Sequence, residues 1–480
     1  MIDIVSRKLE INELEDIYRS KKSEFVVVYG RRRVGKTFLI RELFRNRMAF
    51  YHTALSPIEF NKAQLTDFQI AMFCNTLKEC GVEIDDNPHN WFDVFQMLKI
   101  YIKSLPTNKR QVVFIDELPW LDTKGSGFIT AFEHFWNSFG DGCHNLMLIV
   151  CGSATTWISD KLLNNYGGLY NRITHKICLT PFTLGECEKY YQNKGIVMSR
   201  YDQLQCYMAI GGIPYYMSYV PKGKSVSQIL NTLFFSKNAR LNNEFERLCI
   251  SQFIDKEKYK SILKLLSKKR KGYTRKEISQ LCKIPYGGTL SDIIKALEVS
   301  DFIMPYTYFG GNKREVYYKL TDLFTLFWMS FMTGKNNLKV DFWTAKENAQ
   351  IIKTWQGFAF EEVCFVHRFQ IKRALEINGV SADFSTWRES ADEKVRGAQV
   401  DMLINRSDKI IDLCEMKFYN SEVKIDKTAD DELRRKLQSF ISHTKTRATV
   451  HQILVTTYGL DYSEYSNRFQ NVITMDDLFA

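Results

Sequence analysis

The chain has 480 residues, 45% of them hydrophobic and 14% aromatic, which is too long for one ordinary core and too apolar for a disordered polymer. A formal charge of +11 leans toward a polyanionic partner without requiring one, and 11 scattered cysteines with no C-x-x-C pair argue against a zinc site. No apolar window is long enough to cross a bilayer and "MIDIVSRKLE" lacks the order of a secretory signal, so the expected compartment is the cytoplasm, with thiols kept reduced.

In chain order, the first strong element is residues 24–30, "EFVVVYG", a β-branched run of strand length that ends in glycine. The following "GRRRVGKTFLIRELF" sets Gly30, Gly35, Lys36 and Thr37 in the pattern G-x-x-x-x-G-K-[ST], between an expected strand and an expected amphipathic helix. In that pattern the backbone from Gly30 through Arg31, Arg32, Arg33, Val34 and Gly35 to Phe38 wraps phosphates. Lys36 supplies a point charge and the Thr37 hydroxyl ligates magnesium. A chance glycine-rich turn is the bland alternative, and the flanking strand and helix argue against it.

The buried-strand pattern "RQVVFIDELPWL" ends in two carboxylates. Asp116 is the candidate magnesium ligand and Glu117 the candidate general base. Alone, an apolar run ending in Asp-Glu is common; after a phosphate-binding loop it carries weight. A third expected strand, "NLMLIVCGSATTWI", brings Ser153 to its carboxyl end, where a γ-phosphate sensor would sit, although a small-residue turn explains it equally well. The arginine of "NNYGGLYNR", Arg172, is a candidate catalytic arginine or merely the partner of an acidic surface residue.

Taken together, "SRKLEINEL", "YGRRRVGKT", "IDELPWL", "CGSATTW", "LYNRITHKICLTPF" and "AIGGIPYYM" resemble the archaeal-type P-loop ATPases of the AAA-related and STAND lineage. The resemblance implies ATP and Mg2+ as cofactors, and an ATP-binding core followed by a helical lid and a winged helix. Carried over by position, Arg7 and Glu10 fall in the segment near the adenine. Arg172 falls at the catalytic or sensor arginine, acting in cis or, in an oligomer, in trans. Gly212 and Pro214 fall in the lid turn that touches the nucleotide. The family often has Gly before that arginine; here it is Asn171. Read from the residues alone, "GGIPYYM" is a turn between helices.

From "TPFTLGECEKYYQNKG" to about residue 250 the period is helical. A basic amphipathic helix (256–276), two more helices and a hairpin with a Gly-Gly-Asn tip then follow in the order of a winged helix. Its last helix presents Ser291, Asp292 and Lys295, and its wing presents Lys313 and Arg314, which suit DNA phosphates. Asp292 does not suit them, and an internal clamp on the nucleotide domain is the competing role.

"TDLFTLFWMSFM" reads as a buried connector and "WQGFAFEEVCFVHRFQIKRAL" as one long amphipathic helix bearing Glu361 and Glu362. "AQVDMLI" and "IIDLCEMKF" form an expected hairpin, with Asp401 at a strand start and Glu415 and Lys417 on one face. Asp401 and Glu415, with Glu361 as a third carboxylate, supply the hard oxygen ligands that a magnesium-dependent phosphodiesterase needs, and Lys417 the charged helper. A plain hairpin satisfies so short a pattern often. The set resembles the PD-(D/E)xK nucleases, and archaeal-type ATPases often carry such a domain; Gln399 stands where some members have Glu.

The expected architecture is therefore multidomain α/β: a P-loop parallel sheet over residues 1–180, a helical lid over 181–250, a winged helix over 251–325 and a restriction-endonuclease-like α/β domain over 326–480. DNA is the expected partner.

Overall fold

The computed structural model describes residues 4–57, 64–84, 88–153, 157–163, 168–169, 171–252, 255–269, 271–311, 315–333, 342–346, 349–389 and 397–480. The chain divides into two compact units, Met1–Pro181 and Phe182–Ala480.

The first unit runs α1 (Lys8–Arg19), β1 (Glu24–Gly30), α2 (Lys36–Phe44), β2 (Met48–Thr53), α3 (Leu65–Glu79), α4 (Trp91–Ser104), β3 (Gln111–Asp116), α5 (Phe128–Ser138), β4 (Leu146–Ser153) and β5 (His175–Leu179). The five strands form a parallel sheet in the order β2-β3-β4-β1-β5. Helices cover both faces, which is why β1, β3 and β4 are almost continuously apolar. Alternate residues divide between two cores. Phe25, Val27, Val113, Ile115, Leu148 and Val150 pack with α3, α4 and α5, while Val26, Val28, Val112, Phe114 and Ile149 pack with α1 and α2. The carboxyl ends of β1, β3 and β4 thereby bring Gly30, Asp116 and Ser153 to one edge of the sheet.

The second unit begins with α6 (Leu184–Asn193), α7 (Arg200–Ile210), α8 (Pro214–Met217), α9 (Val226–Leu230) and α10 (Glu244–Gln252). The helical expectation holds here, and Thr183 opens α6 through a reciprocal cap with Glu186. Then come α11 (Lys256–Leu266), β6 (Tyr273–Thr274), α12 (Arg275–Cys282), α13 (Gly288–Val299), β7 (Ile303–Tyr306) and β8 (Tyr317–Leu320). The three strands pair antiparallel in the order β6-β8-β7. The proposed wing residues Lys313 and Arg314 lie outside the described residues.

Next are α14 (Leu323–Phe331), α15 (Phe342–Lys346), α16 (Gln350–Val366), α17 (Arg368–Ala374), β9 (Ala382–Glu389), β10 (Ala398–Arg406), β11 (Ile410–Lys417), β12 (Val423–Lys424), α18 (Lys427–Thr444), β13 (Thr449–Thr456), β14 (Leu460–Asp461), β15 (Asn471–Ile473) and α19 (Met475–Leu478). A five-stranded sheet has the order β15-β13-β11-β10-β9, antiparallel from β9 to β11 and parallel from β11 to β15.

Three expectations change. The hairpin over 398–417 is the second half of a three-strand meander, because β9 precedes it. Asp401 is the fourth residue of β10 instead of its start. The single helix expected over 355–375 breaks at His367, whose buried ring accepts the Leu184 N–H at 2.9 Å through Nε2 and joins its Nδ1 to the Val363 carbonyl at 2.8 Å. That histidine ties the start of α6 to the end of α16 and stops the helix between them.

Candidate functional site

At the end of β1 the backbone turns with Gly30 at φ 142°, where a Cβ would stand 2.1 Å from the Leu179 carbonyl oxygen, so only glycine fits. Arg33 and Gly35 also take positive φ, at 74° and 92°. The loop closes directly onto the N-terminus of α2, whose first residues are Lys36, Thr37 and Phe38. Arg31 and Val34 are buried, Arg32 lies 5.9 Å over the Trp120 ring, and Phe38 is exposed. Arg7 is buried beneath this loop: its guanidinium donates to the Thr180 carbonyl at 2.6 Å, approaches the Val34 carbonyl at 3.4 Å and pairs with Glu10 at 3.2 Å. Its place in the fold is therefore a brace for the loop.

The Lys36 ammonium donates to the carbonyls of Gly30 at 3.1 Å and Arg31 at 3.0 Å. Burial pulls its pKa down, against the pull of Glu117 and Asp116. The Thr37 hydroxyl donates to Asp116 Oδ2 at 2.8 Å. The other Asp116 oxygen accepts the Glu117 N–H at 3.0 Å and the Cys151 thiol. Thr37 and Asp116 thus come together from separate elements, and their hard oxygens fit a magnesium ion. Glu117 sits at φ 51°; burial raises its carboxyl above the usual range, against the charge of Lys36, and the Ser153 backbone hydrogen-bonds to it. Ser153, buried at the end of β4, is therefore beside Glu117. Cys151 carried no signal in the sequence as a partner of Asp116; only the β3–β4 pairing reveals it.

Arg172 donates to Asp141 at 2.9 Å with both side chains about half exposed, a surface pair of ~0–1 kcal/mol that is readily exchanged. Asn171 before it has φ 56°, a conformation that glycine and asparagine tolerate best. In the second unit, Gly212 allows a close backbone approach: a Cβ would stand 1.8 Å from the Phe182 carbonyl oxygen, while its own carbonyl accepts the Phe182 N–H at 2.6 Å. Pro214 follows at the first position of α8.

A cavity of about 1240 Å3 in the second unit is lined by Glu361, Gln399, Asp401, Glu415 and Lys417. The register that pairs Met402 with Cys414 sets Asp401 beside Glu415, and Asp401 accepts the Met416 N–H at 3.2 Å. Cys414 and Met416 pack on the α16 side, so Glu415 and Lys417 share the opposite face, as the alternation predicts. Lys417 pairs with Glu415 at 2.8 Å. Lys436 of α18, absent from the sequence reading, adds a second ammonium at 2.9 Å. It lies between buried Leu433 and Phe440 on the inward face of α18, and a lysine on an apolar face was the available signal.

Burial, then the neighbouring Glu415, raises Asp401 to about 6. Burial also acts on Glu415, but Lys417 and Lys436 outweigh it and hold that carboxyl low. Among the described residues, no three His, Cys, Asp or Glu side chains are gathered closely enough to hold a metal ion. Asp401 and Glu415 alone present adjacent hard oxygens, and a cation there competes with two lysines. On the middle helices, Ser291 is engaged internally, donating to the Gly287 carbonyl at 3.1 Å and accepting from Arg275.

Among the described residues, no helix is long and apolar enough to cross a membrane. Residues 4–220 match the family described as an ATPase domain predominantly from Archaea. The uncharacterized protein MJECL04 of Methanocaldococcus jannaschii is 22% identical over 430 residues, covering 86% of this chain and 87% of that one. The uncharacterized ATP-binding protein MJ0423 of the same organism is 40% identical over 47 residues, 10% of this chain and 80% of that one. Among solved structures, the Walker-type ATPase PABY2304 of Pyrococcus abyssi is similar at TM-score 0.46 and 17% identity, covering 68% of this chain and 96% of that one. The ORC2 protein of Aeropyrum pernix is similar at TM-score 0.44 and 13% identity, covering 72% and 96%. The chain belongs, through residues 4–220, to the family of ATPase domains found predominantly in Archaea.

Proposed function

We propose that the chain binds ATP with magnesium at the loop Gly30–Thr37 and hydrolyses it. The observation that carries this reading is the 2.8 Å contact of the Thr37 hydroxyl with Asp116, the two oxygen donors that would hold the ion, beside a glycine-shaped loop and a buried lysine. When bound, magnesium supplies positive charge that offsets the phosphates. The α2 N-terminus and loop N–H groups bind the phosphate oxygens, and Lys36 exchanges its two carbonyl partners for phosphate. Glu117, with its raised carboxyl pKa, orients a water molecule and takes its proton. Ser153 reads the γ-phosphate, Arg172 stabilises charge in cis or from a neighbouring subunit, and Arg7 and Glu10 border the nucleotide. Purified protein should release phosphate from ATP, and Lys36→Ala should abolish the release; persistent turnover in that variant would sink the assignment.

The finer reading assigns residues 181–250 to a lid, 251–325 to a winged helix and 326–480 to a nuclease-like domain that acts on DNA. The order α11-β6-α12-α13-β7-β8 supports the winged helix. The α16–meander–α18–β13 order, with Asp401, Glu415 and Lys417 on one cavity, supports the nuclease-like domain. There Asp401 and Glu415 would hold a divalent cation and Lys417 would position the attacking water. Incubation with DNA, ATP and magnesium or manganese should give cleavage that Lys417→Ala loses; equal cleavage by both proteins, or none by either, removes this part.

One observation favours a second reading, a nucleotide-controlled switch whose C-terminal domain is a scaffold. Glu415 is already neutralised by two lysines, so the site is satisfied without a metal ion.

A further inference from the structure

Beside the cleft that holds Asp401 and Glu415, a smaller cavity of about 370 Å3 opens between the three-stranded sheet and β9. Its charged walls are Lys271, two residues before β6, and Arg388, near the end of β9. Neither side chain has a carboxylate partner in a hydrogen bond or ion pair among the described residues. The two positive charges line the same cavity. Burial depresses the Lys271 ammonium, and Arg388 and then Lys269 depress it further, against a smaller opposing pull from Glu277. His443, on the same wall, is held at 2.9 Å by the Glu389 carboxylate. Like charges set together at one cavity, with no carboxylate paired to either among the described residues, are an arrangement that an anion relieves.

The remaining surfaces are aromatic. Tyr308, Tyr317 and Trp387 line the cavity, with the Tyr308 and Tyr317 rings 4.8 Å apart at 68°. Cations beside aromatic faces suit a nucleotide unit, whose phosphate takes the charge and whose base takes the ring. Arg388 also lines the large cleft, where it pairs across the sheet with Gln399, two residues from Asp401. Arg388 is thus common to both cavities.

We propose that Lys271 and Arg388 bind the phosphodiester backbone of a single nucleic-acid strand and lead it past β9 toward Asp401 and Glu415. The destination rests on the nuclease-like reading; the binding does not. Inorganic phosphate shares the chemistry, and the test separates the two sources. Full-length protein is titrated into a fluorescein-labelled single-stranded 30-mer (a probe of roughly 30 nucleotides spans an OB-type site of ~4–16 nucleotides with excess) in EDTA, followed by anisotropy across a salt series. Lys271→Gln/Arg388→Gln should weaken binding about tenfold and flatten the log–log salt slope by about 1.4, the release expected from two lost single-strand phosphate contacts. Both side chains are at the surface of their cavity, so folding and ATP turnover should be unchanged. Lys271→Glu/Arg388→Glu should weaken binding further. Equal affinity and slope in wild type and variants would overturn the proposal, as would absence of binding by the wild type. Competition by millimolar inorganic phosphate as strong as that by unlabelled oligonucleotide would reassign the site to a small anion. Lys417→Ala separates the two ideas: retained binding without cleavage by any form sinks the nuclease-like reading alone.

Discussion

Lys319 of β8 and Glu362 of α16 are both buried, 3.0 Å apart, and the ammonium also lies 3.4 Å from the centre of the Phe365 ring. One Glu362 oxygen has no hydrogen-bond partner, so Lys319 is its main compensation. Lys319→Met keeps the length of the side chain and removes the charge, leaving a carboxylate in an apolar setting. Removal of one partner of such a pair costs about 3–5 kcal/mol, equivalent to a fall of roughly 6–10 °C in the melting of a unit this large. Burial already raises the Glu362 carboxyl, with Lys319 opposing. Without Lys319 it rises further, so the deficit should shrink as the pH is lowered and the carboxyl takes a proton. The double variant Lys319→Met/Glu362→Leu should recover most of the loss, since two apolar groups of similar volume replace two desolvated charges. Differential scanning calorimetry of wild type, Lys319→Met, Glu362→Leu and the double variant at pH 7 and pH 5 gives the coupling directly. A single variant that melts within 2 °C of wild type (less than about 1 kcal/mol), or a double variant as unstable as the single, would refute the reasoning.

Burial holds the His367 ring near a pKa of about 4, below its ordinary 6.5. The unfolded chain therefore protonates first, and about 3 kcal/mol of stability, complete above pH 6.5, should be lost as the pH falls toward 4; His367→Gln should flatten that dependence in thermal melts. Asp401 acts with the opposite sign: raised to about 6, it contributes up to about 3 kcal/mol below pH 4 that disappears as the pH rises through 6, and Asp401→Asn in EDTA should remove the slope. Glu117→Gln should retain ATP binding, measured with a fluorescent analogue, while phosphate release falls at least ~100-fold, since general-base catalysis of this kind contributes 10²–10⁴. Gly212→Ala places a methyl 1.8 Å from the Phe182 carbonyl oxygen and should cost more than about 3 kcal/mol, read as a fall in melting temperature or in soluble yield.

The phosphate loop was legible because its chemistry demands residue types at fixed spacing, and Gly30, Gly35, Lys36 and Thr37 admit few other arrangements. Asp116, Glu117 and Ser153 followed because a buried parallel strand writes a continuous apolar run that ends where the chemistry begins. What escaped was whatever depends on a distant partner. β9, "ADFSTWRE", lies at the sheet edge with Trp387 its one fully buried residue, so it wrote no apolar stripe. Lys436 and Cys151 became visible only when α18 and β4 were brought against β11 and β3. His367 read as one residue of an amphipathic helix because its reason for being there, the Leu184 N–H, lies 183 residues away.

The segment after β7 pairs with the outer edge of β9: Tyr308 bridges Thr386, the Phe309 N–H donates to the Thr386 carbonyl at 3.0 Å, and the Phe309 ring lies tilted 5.6 Å from that of Phe440. An open strand edge recruits other chains, and folded proteins blunt such edges. Here the blunting is supplied by a residue pair some 75 positions upstream, so the sheet's resistance to self-association depends on sequence that belongs to another supersecondary element. Shortening or cutting the chain between β7 and β8 would leave every residue of the Asp401–Glu415 cleft in place. It would also leave β9 able to accept a strand from a neighbour, and the first sign of damage would be aggregation rather than lost chemistry.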